Sequence, residues 1–199
     1  IGIYKYCSNM YIENSIETGS GKTTLLFSHL SKNHNVFALD IENSVEVVKS
    51  SELLNNKSYN WINGPTQKTL PQYNFDKKYQ VVYLDGPHGF PFPELEYYYI
   101  YPHIEKGGLL IIDDILIPSI YNLYKFLKAD AMFMELEVID TTAFFQRTEE
   151  KTFDPLGDGW WLQGYNKKHY PIPINPKIFL KGILPKRFKN FVKRKLKRS

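Results

Sequence analysis

An acidic and glycine-rich segment near the N-terminus has the residue types of a ligand-binding loop. The sequence ETGSG runs from Glu17 to Gly21, and its two glycines would let the backbone turn sharply and approach a ligand. The helix that should follow would present free N–H groups to that ligand. Asp40 stands at the end of the next predicted strand, where an acid can accept hydrogen bonds from both hydroxyls of a ribose. The combination predicts a nucleoside-binding site.

Three kinds of loop compete for this segment. A P-loop ends in Gly-Lys-Thr, as residues 21–23 do, but its first glycine would fall at Ile16. A dinucleotide-binding loop needs a third glycine where Thr24 stands. A nucleoside loop of the form E-x-G-x-G fits without exception and is favoured. A bound nucleotide stays an alternative because Lys22 is typical of a P-loop, and a further alternative is that the glycines only close a tight turn.

Three aspartates form a second group. Asp85 ends one apolar run, and Asp113 and Asp114 end another. If these runs are neighbouring parallel strands, their ends lie about 5 to 10 Å apart. Carboxylates so close would raise one another's pKa unless a cation neutralised them, and Mg²⁺ prefers such oxygen ligands. The spacing predicts a metal site, with two alternatives: Asp114 caps the following helix, or Asp85 binds the donor or acts as the base without any metal.

A histidine lies three residues after the first of these aspartates. His88 has the side chain whose unperturbed pKa is nearest neutrality, so it is a candidate general base, the alternative being a solvated loop residue. The remaining histidines show no ligand spacing and are predicted to be surface or packing residues: His29, His34, His103 and His169.

These residues need a scaffold of alternating strands and helices. Apolar runs alternate with amphipathic segments, as is typical of βαβ units. Predicted strands cover 11–17, 35–40, 59–63, 80–85 and 109–113, with antiparallel strands in 134–148 and 159–165. Predicted helices cover 22–30, 44–54, 92–101 and 118–128. The fold class is α/β, a doubly wound and mostly parallel sheet.

Composition favours one domain followed by a basic tail. A chain of 199 residues that is 43% hydrophobic can bury one sizeable core. The single cysteine, Cys7, excludes an internal disulfide and a zinc site built on several cysteines, and fits a reducing cytoplasm. No apolar run reaches the ~18 residues of a membrane span. Prolines at 171, 173 and 176 place the boundary between a domain at 1–170 and a tail at 171–199.

Charge separates these two parts. The last 24 residues contain ten Lys or Arg and no acid, whereas the first 175 contain 15 basic and 21 acidic side chains. An acidic body disfavours nucleic acid as a partner. A basic amphipathic helix from Lys186 onward would suit an anionic membrane surface, or the acidic body of its own or a partner chain.

The order of motifs resembles that of class I S-adenosylmethionine-dependent methyltransferases. The motifs are ETGSG at 17–21, LD at 39–40, NGPTQ at 63–67, YLDGPHGFPFPELEYYYIYPHI at 83–104 and GGLLIIDDI at 107–115. Within that class the chain looks most like the metal-dependent sugar O-methyltransferases of macrolide biosynthesis and their bacterial relatives. The resemblance implies a Rossmann-like, seven-stranded, mostly parallel sheet with an antiparallel last strand.

The resemblance also implies roles for individual residues. Those expected around S-adenosylmethionine are Glu17, Gly19, Ser20, Gly21, Asp40, Ile41, Pro65, Thr66 and Asp85. By motif position, the glycine loop would line the methionine end, Asp40 the ribose and the turn at 64–67 the adenine. Asp85, Asp113 and Asp114 would bind Mg²⁺, with His88 and Asp85 as the catalytic residues. The expected reaction is O-methylation of a hydroxyl on a saccharide or other small polar acceptor. Apart from the resemblance, the cysteine content favours a cytoplasmic protein, and the basic tail leaves peripheral membrane contact and homo-oligomer formation as open alternatives. A P-loop nucleotide-binding protein and a non-catalytic Rossmann-like module are the alternatives.

Overall fold

The computed structural model describes residues 2–41, 43–154, 159–160 and 163–169. The chain divides into two compact units, Ile1–Thr152 and Phe153–Ser199. The first unit contains the whole of the described sheet. The predicted boundary near residue 170 and the basic tail lie outside the described residues, so the tail's role as a membrane or partner contact stays a prediction.

The described elements alternate as the sequence predicts. The strands are β1 (Ile12–Thr18), β2 (Ser31–Ala38), β3 (Tyr59–Asn63), β4 (Tyr79–Leu84), β5 (Ile104–Ile112), β6 (Phe133–Ile139) and β7 (Thr142–Arg147). The helices are α1 (Gly2–Cys7), α2 (Lys22–Leu30), α3 (Ser44–Lys49), α4 (Thr66–Thr69), α5 (Phe92–Ile100) and α6 (Pro118–Ala129), with α7 (Gly164–His169) in the second unit. Of the helices described, none has the length and apolar character needed to span a bilayer.

The strands form one sheet in the order β3-β2-β1-β4-β5-β7-β6. β1 to β5 run parallel, and β7 is antiparallel to both of its neighbours. This confirms the predicted Rossmann-like sheet with its antiparallel last strand. The chain builds outward from β1 in one direction and then returns to β4 on its other side. Ligands of such sheets bind at this switch point, beyond the carboxyl ends of the strands.

The strands that carry the site are buried on both faces. Val81 and Tyr83 of β4 pack with Phe27 of α2 and Phe144 of β7 in one apolar cluster. Phe27 has no exposed surface. Truncating a buried Phe to Ala typically lowers the free energy of unfolding by about 3 to 5 kcal/mol. Packing of this strength holds β4 in place, and with it the residues that follow its carboxyl end.

Two sequence predictions of secondary structure are wrong. Of the described residues in the predicted strand 159–165, Gly164 and Tyr165 lie in α7, and the Trp160 carbonyl accepts bonds from Gln163 N and Asn166 Nδ2. Turn bonds of this kind satisfy the backbone without a sheet partner. The second predicted helix ends at Lys49 rather than residue 54, because Ser51 Oγ bonds to Leu53 N and competes with helix continuation.

Candidate active site

The predicted site residues lie along one edge of the sheet. Backbone hydrogen bonds continue beyond the strands and join the carboxyl ends of β3, β2, β1, β4 and β5 in a row. The bonds are Gly64 N to Ala38 O at 3.1 Å, Gly19 N to Phe37 O at 3.0 Å, Asp85 N to Thr18 O at 3.2 Å and Asp113 N to Leu84 O at 3.1 Å. The glycine loop, Asp40, the turn at 64–67 and the aspartates therefore share one rim.

The glycine loop passes very close to the loop after β4. Gly19 has φ +86°, and a Cβ at this position would stand 2.2 Å from the Asp85 carbonyl oxygen. Only glycine fits there. A Cβ on Gly21 would have no atom within 4 Å, and Ser20 Oγ is buried without a hydrogen-bond partner among the described residues. Open space beside an unsatisfied hydroxyl fits a polar ligand over this loop.

The start of α2 is held by side chains. Thr23 Oγ1 donates to Glu17 Oε1, and Gly21 N donates to Thr24 Oγ1 at 3.0 Å. Lys22 begins the helix and is exposed. Ile16, where a P-loop needs its first glycine, is a fully buried residue of β1. The P-loop interpretation is therefore not favoured.

The predicted ribose and adenine positions flank the loop. Asp40 follows β2, is exposed, and accepts a bond from Val45 N at 3.0 Å through one carboxylate oxygen. Ile41 beside it is 60% exposed. Pro65 immediately precedes α4, and Thr66 is buried. The rim brings these residues alongside the glycine loop, and their contacts with a donor stay predictions.

Asp85 and Asp113 are neighbours, as predicted. The strands they follow are paired, with Leu84 opposite Ile112. Tyr83 OH donates to Asp113 Oδ2 at 2.5 Å and lies 3.5 Å from Asp85 Oδ2. Burial, with the nearby charge of Asp113, raises the pKa of Asp85 to about 7. The part of the rim that carries Asp85, Asp113 and Asp114, called the acidic rim below, therefore lacks enough positive charge to keep the pKa of Asp85 at its ordinary value.

Asp113 is held by several donors. Its Oδ1 accepts from Thr142 Oγ1 at 2.7 Å and Asp114 N at 2.9 Å, and Tyr83 occupies Oδ2. Burial alone would raise the pKa of Asp113, but these hydrogen bonds hold its pKa below the ordinary value. The side chain therefore stays ionised and oriented.

His88 joins the aspartates at this rim. Its Nε2 lies 3.5 Å from Asp85 Oδ1 and 3.7 Å from Asp114 Oδ2. One ligand atom from each of these three residues falls within 4.8 Å of the others, close enough to hold a metal ion. Ser119 Oγ, in the first turn of α6, donates to the His88 carbonyl and anchors its loop. The predicted metal set has Asp113 in place of His88.

Asp114 has the left-handed backbone conformation, with φ 52°. Asp tolerates this conformation better than most residues. The alternative that Asp114 caps the next helix is wrong, because α6 begins at Pro118 after Ile117 with no side-chain cap. The Asp114 carboxylate faces His88 instead.

Some residues in contact with the site were missed by the sequence analysis. His34, predicted to be a surface or packing residue, is fully buried with its Nε2 3.0 Å from Glu17 Oε2. Glu96 of α5 is also buried, and accepts from Thr18 Oγ1 at 2.8 Å. A polar residue in a strand covered on both faces is the one sequence signal that would have drawn attention to His34.

Comparison with known proteins places the chain in a family. A family model described as a methyltransferase domain matches residues 16–115, half of the chain. No curated protein sequence matches it. The matched segment runs from β1 through the aspartates after β5. The chain therefore belongs to this methyltransferase family, and it is a class I S-adenosylmethionine-dependent methyltransferase.

Solved structures share the fold at low sequence identity. An O-methyltransferase from Bacillus cereus, solved with S-adenosylhomocysteine, is 11% identical over 69% of this chain and 74% of its own, with a TM-score of 0.58. TomG from Streptomyces achromogenes, solved with S-adenosylmethionine, is 11% identical over the same shares, with a TM-score of 0.57. MycE of mycinamycin biosynthesis, solved with Mg and S-adenosylhomocysteine, is 16% identical over 74% of this chain but only 49% of MycE, at 0.51.

Proposed function

We propose that this methyltransferase transfers the methyl group of S-adenosylmethionine to a hydroxyl of a saccharide or similar small polar acceptor, with a divalent cation at the acidic rim. The observation that carries the proposal is His88, whose Nε2 lies between carboxylates of Asp85 and Asp114 beside the glycine loop. A base, a cluster of oxygen ligands and a nucleoside loop thus share one edge of the sheet. The structures solved with donor product, one of them also with Mg, support the same assignment.

The glycine loop is suited to the donor. Within the described part of the chain, Ser20 Oγ is buried without a hydrogen-bond partner, and no atom lies within 4 Å of a Cβ placed on Gly21. Asp40 would accept from the ribose hydroxyls, and Thr66 would line the adenine. When bound, the sulfonium supplies an electrophilic methyl carbon, so a deprotonated hydroxyl needs only correct placement to react.

The acidic rim is suited to a hard divalent cation. Asp85 and Asp114 offer the oxygen ligands that Mg²⁺ prefers, with Asp113 beside them. A cation there would offset the burial and the repulsion from Asp113 that together raise the pKa of Asp85. When bound, Mg²⁺ lowers the pKa of a coordinated hydroxyl and fixes its direction.

His88 is placed to receive the hydroxyl proton. Its side chain is 42% exposed, so the imidazole is open to an acceptor from solvent. Once Nε2 takes the proton, the imidazolium lies 3.5 and 3.7 Å from two carboxylate oxygens, which stabilise its charge. Asp113 keeps the neighbouring Asp114 backbone in place through the bond to its N–H.

Calorimetric titration tests the donor site. We expect the purified chain to bind S-adenosylhomocysteine and not ATP, and Asp40→Ala to weaken that binding by about tenfold, the effect of losing a hydrogen bond to a carboxylate. Glu46→Ala on the exposed face of α3 is the matched control and should bind normally. Binding of ATP in place of S-adenosylhomocysteine would support the P-loop alternative, and binding of neither would support a non-catalytic module.

A further inference from the structure

A buried chain of polar side chains runs from the start of β2 to the glycine loop. Ser31 Oγ lies 2.5 Å from Ser15 Oγ, which lies 2.7 Å from His34 Nδ1. On the other side of the ring, His34 Nε2 is 3.0 Å from Glu17 Oε2. Thr23 Oγ1 then donates to Glu17 Oε1, which brings the chain to the first turn of α2.

The register of the two strands explains this chain. His34 of β2 stands opposite Ser15 of β1, and Glu17 lies two residues further along the same face of β1. The imidazole therefore spans from one β1 side chain to the other. Each of its nitrogens reaches one of them, so both are satisfied without water.

The chain is sealed from solvent. Ser15 and His34 have no exposed surface and Glu17 is 1% exposed. Phe27 of α2 packs against the imidazole with ring centroids 5.2 Å apart. Ser15, His34 and Glu17 have the residue types of a hydrolytic triad, but a nucleophile without access to solvent can attack no substrate.

The direction of the hydrogen bonds fixes the roles. A carboxylate only accepts, so His34 Nε2 and Thr23 Oγ1 both donate to Glu17. The two Glu17 oxygens are thereby committed to protein donors on opposite sides. A buried carboxylate left without such partners is costly, so removing the imidazole would let Glu17 and Thr23 shift.

We infer that His34 is a positioning residue for the methyl donor: it fixes Glu17, and through Glu17 and Thr23 it holds the glycine loop in the shape that receives the amino-acid end of the donor. The inference rests on the proposed donor site and adds a residue two strand positions away from the loop. His34 touches no reacting atom. The nucleoside end is served by Asp40 and the turn at 64–67, which the buried chain does not contact.

Two ligands separate this role from a general loss of structure. S-Adenosylhomocysteine carries the amino-acid end, whereas 5′-methylthioadenosine has the same nucleoside and sulfur without it. In His34→Leu we expect the affinity for S-adenosylhomocysteine to fall by about tenfold or more, as for lost hydrogen bonds to a charged group. The affinity for 5′-methylthioadenosine should stay within about twofold of the unaltered protein. Both are measured by calorimetry, the weaker ligand by displacement.

Companion variants keep the test decisive if His34→Leu folds poorly. His34→Gln retains an amide donor and should recover most of the lost affinity, and Glu17→Gln should reproduce the selective loss. His29→Leu, an exposed histidine of the same helix-strand unit bonded to the Leu53 carbonyl, is the matched control and should bind both ligands normally. Circular dichroism and thermal melting report whether each variant is folded.

The outcomes are distinct. Equal affinities for S-adenosylhomocysteine in folded His34 variants and the unaltered protein would overturn the inference, as would parallel losses for both ligands. Failure of the unaltered protein to bind S-adenosylhomocysteine would overturn the donor site itself, and the inference with it.

Discussion

The acids in the two halves of the same rim differ in burial and in hydrogen-bond partners. At the end of β1, Glu17 is 1% exposed, and His34 and Thr23 donate to its two oxygens. At the end of β4, the Asp85 side chain is 34% exposed, with Asp113 close by and His88 at 3.5 Å. Burial and the charge of Asp113 raise the pKa of Asp85 to about 7, and the nearby His88 offsets this only in part.

This difference indicates a structural role for the acid of β1 and a catalytic role for the acids of β4 and β5. A carboxylate with all its partners in the protein has little capacity for a further ligand, so the β1 half shapes a loop. Carboxylates without enough positive charge attract a cation or a proton, so the β4 and β5 half is where the chemistry belongs. Five substitutions test this division, beginning with the largest expected effect.

His88→Ala should abolish most turnover. Removing a general base typically costs about 10²- to 10⁴-fold in rate, while the donor site on the β1 half is untouched. The measurement is S-adenosylhomocysteine released from S-adenosylmethionine with a panel of saccharide acceptors, alongside donor affinity by calorimetry. His29→Ala is the control. A parallel loss of donor affinity would show that the two halves are not separate.

Asp85→Asn should weaken cation binding. The carboxylate nearest His88 is lost, and we expect the affinity for Mn²⁺ to fall by about tenfold to a hundredfold, as for ligand-shell substitutions at metal sites. Paramagnetic resonance of free Mn²⁺ measures it. Asp140→Asn changes an exposed aspartate in the β6–β7 turn and should have no effect. Unchanged Mn²⁺ binding in Asp85→Asn, or none in the unaltered protein, would remove the metal from the proposal.

Alanine substitutions distinguish a glycine that the fold requires, Gly19, from a glycine that leaves room for the ligand, Gly21. Gly19→Ala places a Cβ 2.2 Å from the Asp85 carbonyl at φ +86°, and should cost about 2 kcal/mol or more of unfolding free energy. Gly21→Ala meets no atom within 4 Å, so it should melt normally while losing about tenfold in S-adenosylhomocysteine affinity. Gly89→Ala, also with open space, should change neither. Equal melting of Gly19→Ala and Gly89→Ala would refute the close approach.

Glu96→Gln should make stability less dependent on pH. Burial raises the pKa of Glu96 from 4.5 to about 7, so between these values the folded state holds a proton that the unfolded state has released. The unfolding free energy of the natural protein therefore falls as pH rises through this interval, and the amide variant escapes that loss. We therefore compare the melting temperature of the variant with that of the natural protein at each pH. This difference should be about 3 to 10 °C more in favour of the variant at pH 8 than at pH 4.5. Parallel melting curves across this range would contradict the raised pKa.

Local pattern was enough to predict the scaffold. Continuous apolar runs in β4 and β5 indicated strands covered on both faces, and the acids that end them fell at the same edge because parallel strands share a direction. The bounds of α2 and β3 were predicted to the residue. The strand prediction failed at Gly164 and Tyr165, which lie in α7, because alternation over a few residues does not by itself distinguish a strand from a short helix.

The different roles of the acids could not be predicted from the sequence. Glu17, Asp85 and Asp113 look alike in a sequence, since each ends a strand beside polar residues. Only the tertiary structure shows that His34 donates to Glu17 and that Tyr83 and Thr142 donate to Asp113. It also shows that Asp85 lies beside His88. The order of residue types along the chain determines which strands form and where they end, because those preferences are local. What each carboxylate does depends on the donors and charges that other strands bring within a few ångströms, and that distance is set only when the sheet assembles.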